Sequence, residues 1–242
     1  MGFIINPYNF AVATFDPSTI LGCKAWYDAS DSTSITKDGG NLVSQWNDKS
    51  GQANHVVQAT GSKQPLWVSA GQNGKDIIRF DGVDNILKKA TFTGGEVVQG
   101  NMVFFVFKKV SGTISGYVYD SGADTDRQTF LMGIVLSGKF GFISGDGSTG
   151  VGSSNTAETN YNYWDITWNG ASNEVFKNAV SYITGNATNV GTDGMNGITF
   201  GARNSDSGFA NVEFAEFILY DTVLSSGNRT LVRNYLSAKW GL

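Results

Sequence analysis

The chain is predicted to fold as an all-β protein, two antiparallel sheets packed face to face and finished by one short C-terminal helix. Short apolar or alternating runs follow one another at intervals of roughly ten residues, with no helical period between them. Thirty-one glycines against three prolines, among many Asn, Ser and Thr, suit a fold with many tight turns. The period changes only at the end, where Leu231, Val232, Tyr235, Leu236 and Trp240 recur at the spacing of one helical face. Ser225 or Ser226 can cap that helix, and Gly241 stands where it would stop.

Residues 1–16 read as an extended aromatic arm, with Phe3, Tyr8 and Phe10 as its assembly contacts, because so short a segment cannot bury its own rings. After a turn at Asp16-Pro17, strands are expected over 24–29, 42–46, 55–59, 77–80 and 86–92. The run 102–110 is the strongest, apolar for long enough to be buried on both faces. Strands over 115–120, 127–136 and 139–144 make a meander, with a tight hairpin at Ser137-Gly138. Strands over 161–168, 173–177, 180–184, 197–202 and 212–220 complete the set, with Asn169-Gly170 as another hairpin turn. This is one domain, 17–242, plus the arm.

A chain of 242 residues can bury roughly 70% of its unfolded surface, so it needs no metal or disulfide to be stable. Hydrophobic residues at 40% and aromatics at 13% supply a real core. The net charge of −4, with no basic run, argues against a nucleic-acid partner. No stretch approaches transmembrane length, so no membrane insertion is expected. The opening ten residues lack positive charge and are broken by Asn6 and Pro7, unlike a signal peptide. The expectation is therefore a protein that either stays soluble inside the cell that makes it or leaves by lysis or assembly instead of secretion. Cys23 is alone and reads as a small buried apolar residue. His55 is the sole histidine, so His-based zinc sites are excluded, and its alternating surroundings point to packing.

Several blocks carry a resemblance. They are Lys24-Ala-Trp-Tyr-Asp-Ala-Ser-Asp31, Val43-Ser-Gln-Trp-Asn-Asp-Lys-Ser-Gly51 with Asn54-His55, Ile78-Arg-Phe-Asp-Gly-Val-Asp84, Gly201-Ala-Arg-Asn204, and the closing strand and helix. Together they resemble the concanavalin A-like jelly roll of the laminin G, pentraxin and legume-lectin group, in its bacterial and phage form. The resemblance implies a two-sheet jelly-roll sandwich over 17–242 and leaves function open, since this scaffold hosts lectins, glycanases, adhesion modules and structural pieces. Read physically, Trp26 and Trp46 are core anchors between the sheets, residues 47–51 form a polar turn, and Gly82 supplies a positive φ after Asp81.

Glucanases on this scaffold carry same-face carboxylates along one strand. Here the five glutamates are Glu96, Glu158, Glu174, Glu213 and Glu216. Glu213 and Glu216 share a strand but stand three apart, so a regular pleat sends them to opposite faces. No catalytic residue is assigned. Residues 145–150 match G-x-G-x-x-G, but no helix follows, so the match is a loop.

No cofactor is required. The resemblance leaves calcium open: Asp84-Asn85 is similar to a pentraxin ligand pair, and Asp120, Asp124 and Asp126 form a second acidic loop. The same residues also serve turns for backbone reasons. Metal-free sugar binding would need an exposed aromatic platform, for which Tyr117, Tyr119, Asp120 and Arg127, or Tyr161 and Tyr163, are the candidates. The opening of the chain resembles phage structural proteins. The expected function is a non-enzymatic virion attachment or decoration protein, displayed on head or tail. It would join other virion proteins through the arm, assemble as a homo-oligomer, a trimer by preference, and bind host-surface glycans. The alternatives are a polysaccharide lyase or hydrolase using His55 and the tyrosine pairs, or a bacterial adhesin module.

Overall fold

The computed structural model describes residues 15–110, 116–123, 127–132, 140–145, 159–182 and 191–242. The arm contacts Phe3, Tyr8 and Phe10, the acids Asp124 and Asp126, and the Ser137-Gly138 turn lie outside the described residues. In chain order the strands are β1 (Cys23–Asp28), β2 (Ile35–Lys37), β3 (Val43–Trp46), β4 (Val56–Val57), β5 (Leu66–Gln72), β6 (Lys75–Asp81), β7 (Leu87–Lys89) and β8 (Asn101–Lys109). They continue as β9 (Gly116–Asp120), β10 (Gln128–Met132), β11 (Phe140–Ser144), β12 (Asn162–Trp168), β13 (Glu174–Lys177), β14 (Val180–Ser181), β15 (Ile198–Phe200) and β16 (Asn211–Tyr220). Helix α1 (Ser226–Trp240) closes the chain.

These strands form two antiparallel eight-stranded sheets. The first runs β14-β13-β12-β8-β16-β6-β5, with β1 paired to the second half of β16. The second runs β11-β10-β9-β15-β7-β4-β3-β2. Strands β2 and β5 escaped the sequence reading: β2 has three residues, and β5 has no buried residue to mark it.

Strand β8 is the spine of the first sheet, and its run of large apolar residues is buried on both faces, as its length predicts. Val103, Phe105 and Phe107 point between the sheets, where Phe105 meets Phe130 with ring centroids 5.1 Å apart. Met102, Phe104 and Val106 point outward and are covered by α1. Trp46 lies in the inter-sheet core as expected, but Trp26 does not: it belongs to the second layer, beneath the helix. The reason is the pleat of β1, which turns Ala25 and Tyr27 inward and Trp26 outward.

Helix α1 begins with the Ser225 side chain accepting from the Asn228 N–H at 3.3 Å and ends at Gly241, which adopts φ 68°. Val232, Leu236 and Trp240 bury against the sheet. Leu231, expected on the same face, is 50% exposed and stands beside the helix–sheet seam. Polar anchoring completes the docking. Arg229 and Arg233 reach the fully buried Asp165 of β12 at 2.7 and 2.8 Å.

One irregularity decides the geometry of the site. The register of β16 against β8 shifts between Phe214 and Glu216, so a β-bulge interrupts the alternation. Phe214 and Phe217, three apart, both enter the inter-sheet core. Glu213 and Glu216 therefore both face outward, and the regular pleat expected from the sequence is corrected.

Candidate functional site

Three of the blocks that carried the resemblance meet on the outer side of the first sheet. The turn over residues 47–51 folds around Asp48, whose carboxylate accepts from the Trp26 N–H (2.9 Å), the Ser50 N–H (2.8 Å) and the Asn54 N–H (2.9 Å). The Asp48 N–H in turn donates to His55 Nδ1 at 3.0 Å, a structural use of the sole histidine. That turn sets Lys49 over the Trp26 ring, 4.3 Å from its centroid, between Asp28 (3.0 Å) and Asp31 (2.7 Å).

From the other side α1 brings Tyr235, Lys239 and Trp240. Glu216 lies at the bottom with no exposed surface and four donors around it. Trp26 Nε1 and the Tyr235 hydroxyl donate to Oε1, each at 2.7 Å. Trp240 Nε1 donates to Oε2 at 2.7 Å, and Lys239 Nζ stands 2.9 Å from it. The same ammonium is 2.7 Å from Asp28, so two carboxylates share one lysine. The β5–β6 turn closes the end. Gln72 Nε2 donates to the Trp240 carbonyl (2.7 Å) and Asn73 Nδ2 to the Lys239 carbonyl (3.1 Å), satisfying helix C-terminal acceptors.

Between these elements lies an open groove of about 850 Å³, lined by Phe15, Trp26, Tyr235 and Leu231 and by the polar groups of Asp28, Lys49, Asn73, Lys75, Asn234 and Lys239. Phe15 packs on Tyr235 with centroids 5.4 Å apart. Burial pushes the Glu216 carboxyl upward and Asp28 adds to this, while Lys239 opposes it. Burial would also lift Asp28, but Lys239, Ser30 and Lys49 outweigh it and hold that carboxyl below its ordinary value. Lys49 is pushed up, because its bonds to Asp31 and Asp28 exceed the effect of burial.

A second, smaller depression of about 500 Å³ is mostly polar, with Gln72, Lys108, Asn160, Tyr161, Asn178 and Leu242 around it. Tyr161 is the one residue of the expected platforms that lines a depression described here, and its hydroxyl donates to Glu213 at 2.6 Å. Tyr163 shares its outer face, and both residues are buried. Glu213 also pairs with Arg79 and with Lys108 at 2.8 Å.

The other expected platform is not one surface. Tyr119 is fully buried in the inter-sheet core, while Tyr117 packs with Leu131 and Ile143 in a separate cluster. A register shift between β9 and β10 sends the two rings to different places. Arg127 covers the Tyr117 ring at 5.0 Å and pairs with Asp120 at 2.8 Å, both deeply buried. Neither side chain is presented to a ligand.

Of the residues expected to hold calcium, the described ones, Asp84, Asn85 and Asp120, are committed to internal partners. Asp120 Oδ1 already accepts from Arg127 Nε and Oδ2 from Arg127 Nη2 (3.2 Å) and the Asn204 N–H (3.0 Å), so a guanidinium holds the place a cation would take. Burial also lifts its carboxyl, against the pull of Arg127. Asn85 Oδ1 accepts from the Asp81 N–H at 3.2 Å, and Asp84 receives the Asn85 amide at 3.4 Å, the pattern of a self-satisfied turn.

No family model and no curated protein sequence matches the chain. Solved structures share its fold. Trypanosoma rangeli sialidase in complex with sialic acid superposes with a TM-score of 0.61 at 12% identity, over 91% of this chain and 33% of that one. An arabinofuranosidase complexed with arabinofuranosyl-alpha-1,2-xylobiose gives 0.64 at 13% identity, over 90% of this chain and 59% of that one. The receptor binding domain of botulinum neurotoxin D gives 0.63 at 10% identity, over 90% and 53%. The chain thus spans between a third and three-fifths of these proteins. Its fold is the concanavalin A-like β-sandwich, an architecture found in carbohydrate-binding domains and in glycosidases.

Proposed function

We propose that this chain is a non-catalytic carbohydrate-binding domain that serves attachment, and that the groove beside α1 holds the sugar. The carrying observation is the chemistry of that groove. Aromatic surface from Phe15 and Tyr235 lies next to polar groups still able to bond sugar hydroxyls, such as Asn234, while the buried acids are spent on internal partners. Glu216 has no exposed surface, so neither a glycosidic oxygen nor a water can reach it without displacing the helix. Asp48, Asp120, Asp165 and Glu213 are likewise saturated by lysine, arginine, tyrosine or backbone donors. The test is a glycan array run beside a reducing-end assay. Retention of one glycan class without release of reducing ends is expected. Failure to bind any glycan, or turnover of one, would overturn the reading.

One observation favours a second reading. Glu216 and Asp28 share Lys239 and are pushed in opposite directions, the kind of separation that assigns an acid and a base in hydrolases. A glycosidase would require turnover that Glu216→Gln abolishes while the helix stays docked.

For the setting of the attachment we propose a bacteriophage particle surface, with residues 1–16 joining other virion proteins and the chain assembling as a homotrimer. An opening of fifteen residues without one charged side chain, rich in aromatic rings, supports that contact. Mass spectrometry of purified virions and the native mass of the isolated chain test it.

A further inference from the structure

We infer that the groove selects an anionic, carboxylate-bearing saccharide, with Lys75 and Lys49 facing its charge; this rests on the carbohydrate-binding reading above. The inference comes from where the charges stand. Three lysines line the groove, Lys49, Lys75 and Lys239, and the carboxylate of the lining, Asp28, lies deeper, as does Glu216 beneath it. Asp31, the other partner of Lys49, is 29% exposed and stands at the rim outside that lining. The Asp28 side chain is 6% exposed and Glu216 0%, against 24% for Lys49. Among the lining residues, a ligand meets ammonium groups first and the carboxylate behind them.

The three lysines are not equivalent. Lys239 spends its donors on Asp28, Glu216 and the Tyr235 hydroxyl, so it belongs to the floor. Lys49 binds Asp28 and Asp31 and has a third N–H left over. The Lys75 side chain, beside the β5–β6 turn, makes no hydrogen bond or ion pair among the described residues. It is the one cation in the lining without a counter-charge. The side-chain amide of Asn234 on α1 also makes no such bond among the described residues, and it offers a neutral donor and acceptor for hydroxyls. An ammonium in want of a partner, an amide and an aromatic wall together describe an acidic sugar better than a neutral one. The chain as a whole carries −4, so a polyanion is repelled elsewhere and favoured only where cations stand outermost.

The test uses an array of bacterial surface polysaccharides, each spotted in native form and after reduction of its carboxyl groups to alcohols. Wild type should hold acidic polymers at least tenfold more tightly than their reduced forms. Raising salt from about 0.05 to about 0.5 M should weaken the native complexes and leave any reduced ones unchanged. Lys75→Gln should weaken acidic binding by about fivefold, the upper range for one solvent-facing ion pair, with unchanged melting and unchanged binding of reduced polymers. Lys75→Arg should restore the loss. Equal retention of native and reduced polymers, or a Lys75→Gln protein indistinguishable from wild type on acidic ones, overturns the inference and leaves carbohydrate binding standing. Retention of no polysaccharide in either form removes the carbohydrate reading itself.

Discussion

Glu216→Gln isolates what the buried carboxylate does for the helix and the groove. The substituted amide keeps one acceptor oxygen, which can still serve Trp240 Nε1 and Lys239 Nζ. Its NH₂ then faces Trp26 Nε1 and the Tyr235 hydroxyl. The hydroxyl can rotate to accept, since it is both donor and acceptor, but the indole N–H cannot. One buried donor is left unpaired, which costs about 1–3 kcal/mol. For a chain of this size that corresponds to a fall of roughly 2–12 °C in Tm. Thermal unfolding followed by near-ultraviolet circular dichroism reads it directly, because Trp26 and Trp240 report on the site.

The pH dependence gives an independent sign. The Glu216 carboxyl is raised in the folded chain, so as pH falls the folded state takes up the proton before the unfolded state does. Wild type therefore gains stability from this group between its folded value and the unfolded value of about 4.3, and the glutamine variant does not. The gap between them should widen as pH drops from 7 toward that limit. A variant as stable as wild type at neutral pH, or a gap that narrows on acidification, would refute this account of how α1 is held.

Four further outcomes are expected. Asp165→Asn strips the counter-charge from Arg229 and Arg233 and should cost about 3–5 kcal/mol in chemical denaturation, the range for breaking a buried ion pair. Phe105→Ala opens a cavity among Phe130, Tyr119 and Phe217 and should cost about 3–5 kcal/mol by the same measurement. Gly201→Ala should lower Tm clearly, since Gly201 has φ 79° and an added methyl would strike the Phe80 ring. Asp28 and Glu213, both held below their ordinary values against the effect of burial, contribute stability that is full above about pH 4 and lost as pH falls through their folded values; Asp28→Asn should flatten the acid limb of a stability-versus-pH curve.

The sheets and the helix were legible because their signals are local. Alternation, turn residues and a capped 3.6-residue period can each be read in a window of a dozen residues, and Ser225, Gly241 and the two-faced β8 behave as those signals say. The site was only half legible. The blocks at Trp26, Asp28 and Asp48 were visible as blocks, but nothing in them announced that they would meet α1. Two of the misreadings depend on one extra residue in a strand, whereas Trp26 was turned outward by the pleat of β1. The shift in β16 put Glu216 on the same face as Glu213, and the shift between β9 and β10 parted Tyr117 from Tyr119. A bulge changes every face assignment beyond it, and its cause lies in the partner strand, which pattern reading does not see. Lys75 and Asn73 escaped for a related reason: β5 is an edge strand without a buried residue, so its turn with β6 carried no apolar signal.

The bulge also explains why acids and aromatics share one groove. With regular alternation Glu216 would point between the sheets, among Phe105, Phe200 and Phe217, where an ionised group meets no donor and would be prohibitively costly. Turned outward, it lies under a helix whose inner stripe is apolar, and it is tolerable there only because Trp26, Tyr235, Trp240 and Lys239 all aim hydrogen at it. The three of these that come from α1, Tyr235, Lys239 and Trp240, fix the height and rotation of the helix, and the rotation leaves Leu231, Asn234 and Tyr235 along the open side. Asp28 then requires cations, which Lys239 supplies from below and Lys49 from the rim. The groove wall and its outward-facing ammonium groups follow from placing one carboxylate, so a binding surface was formed by the same interactions that attach the helix.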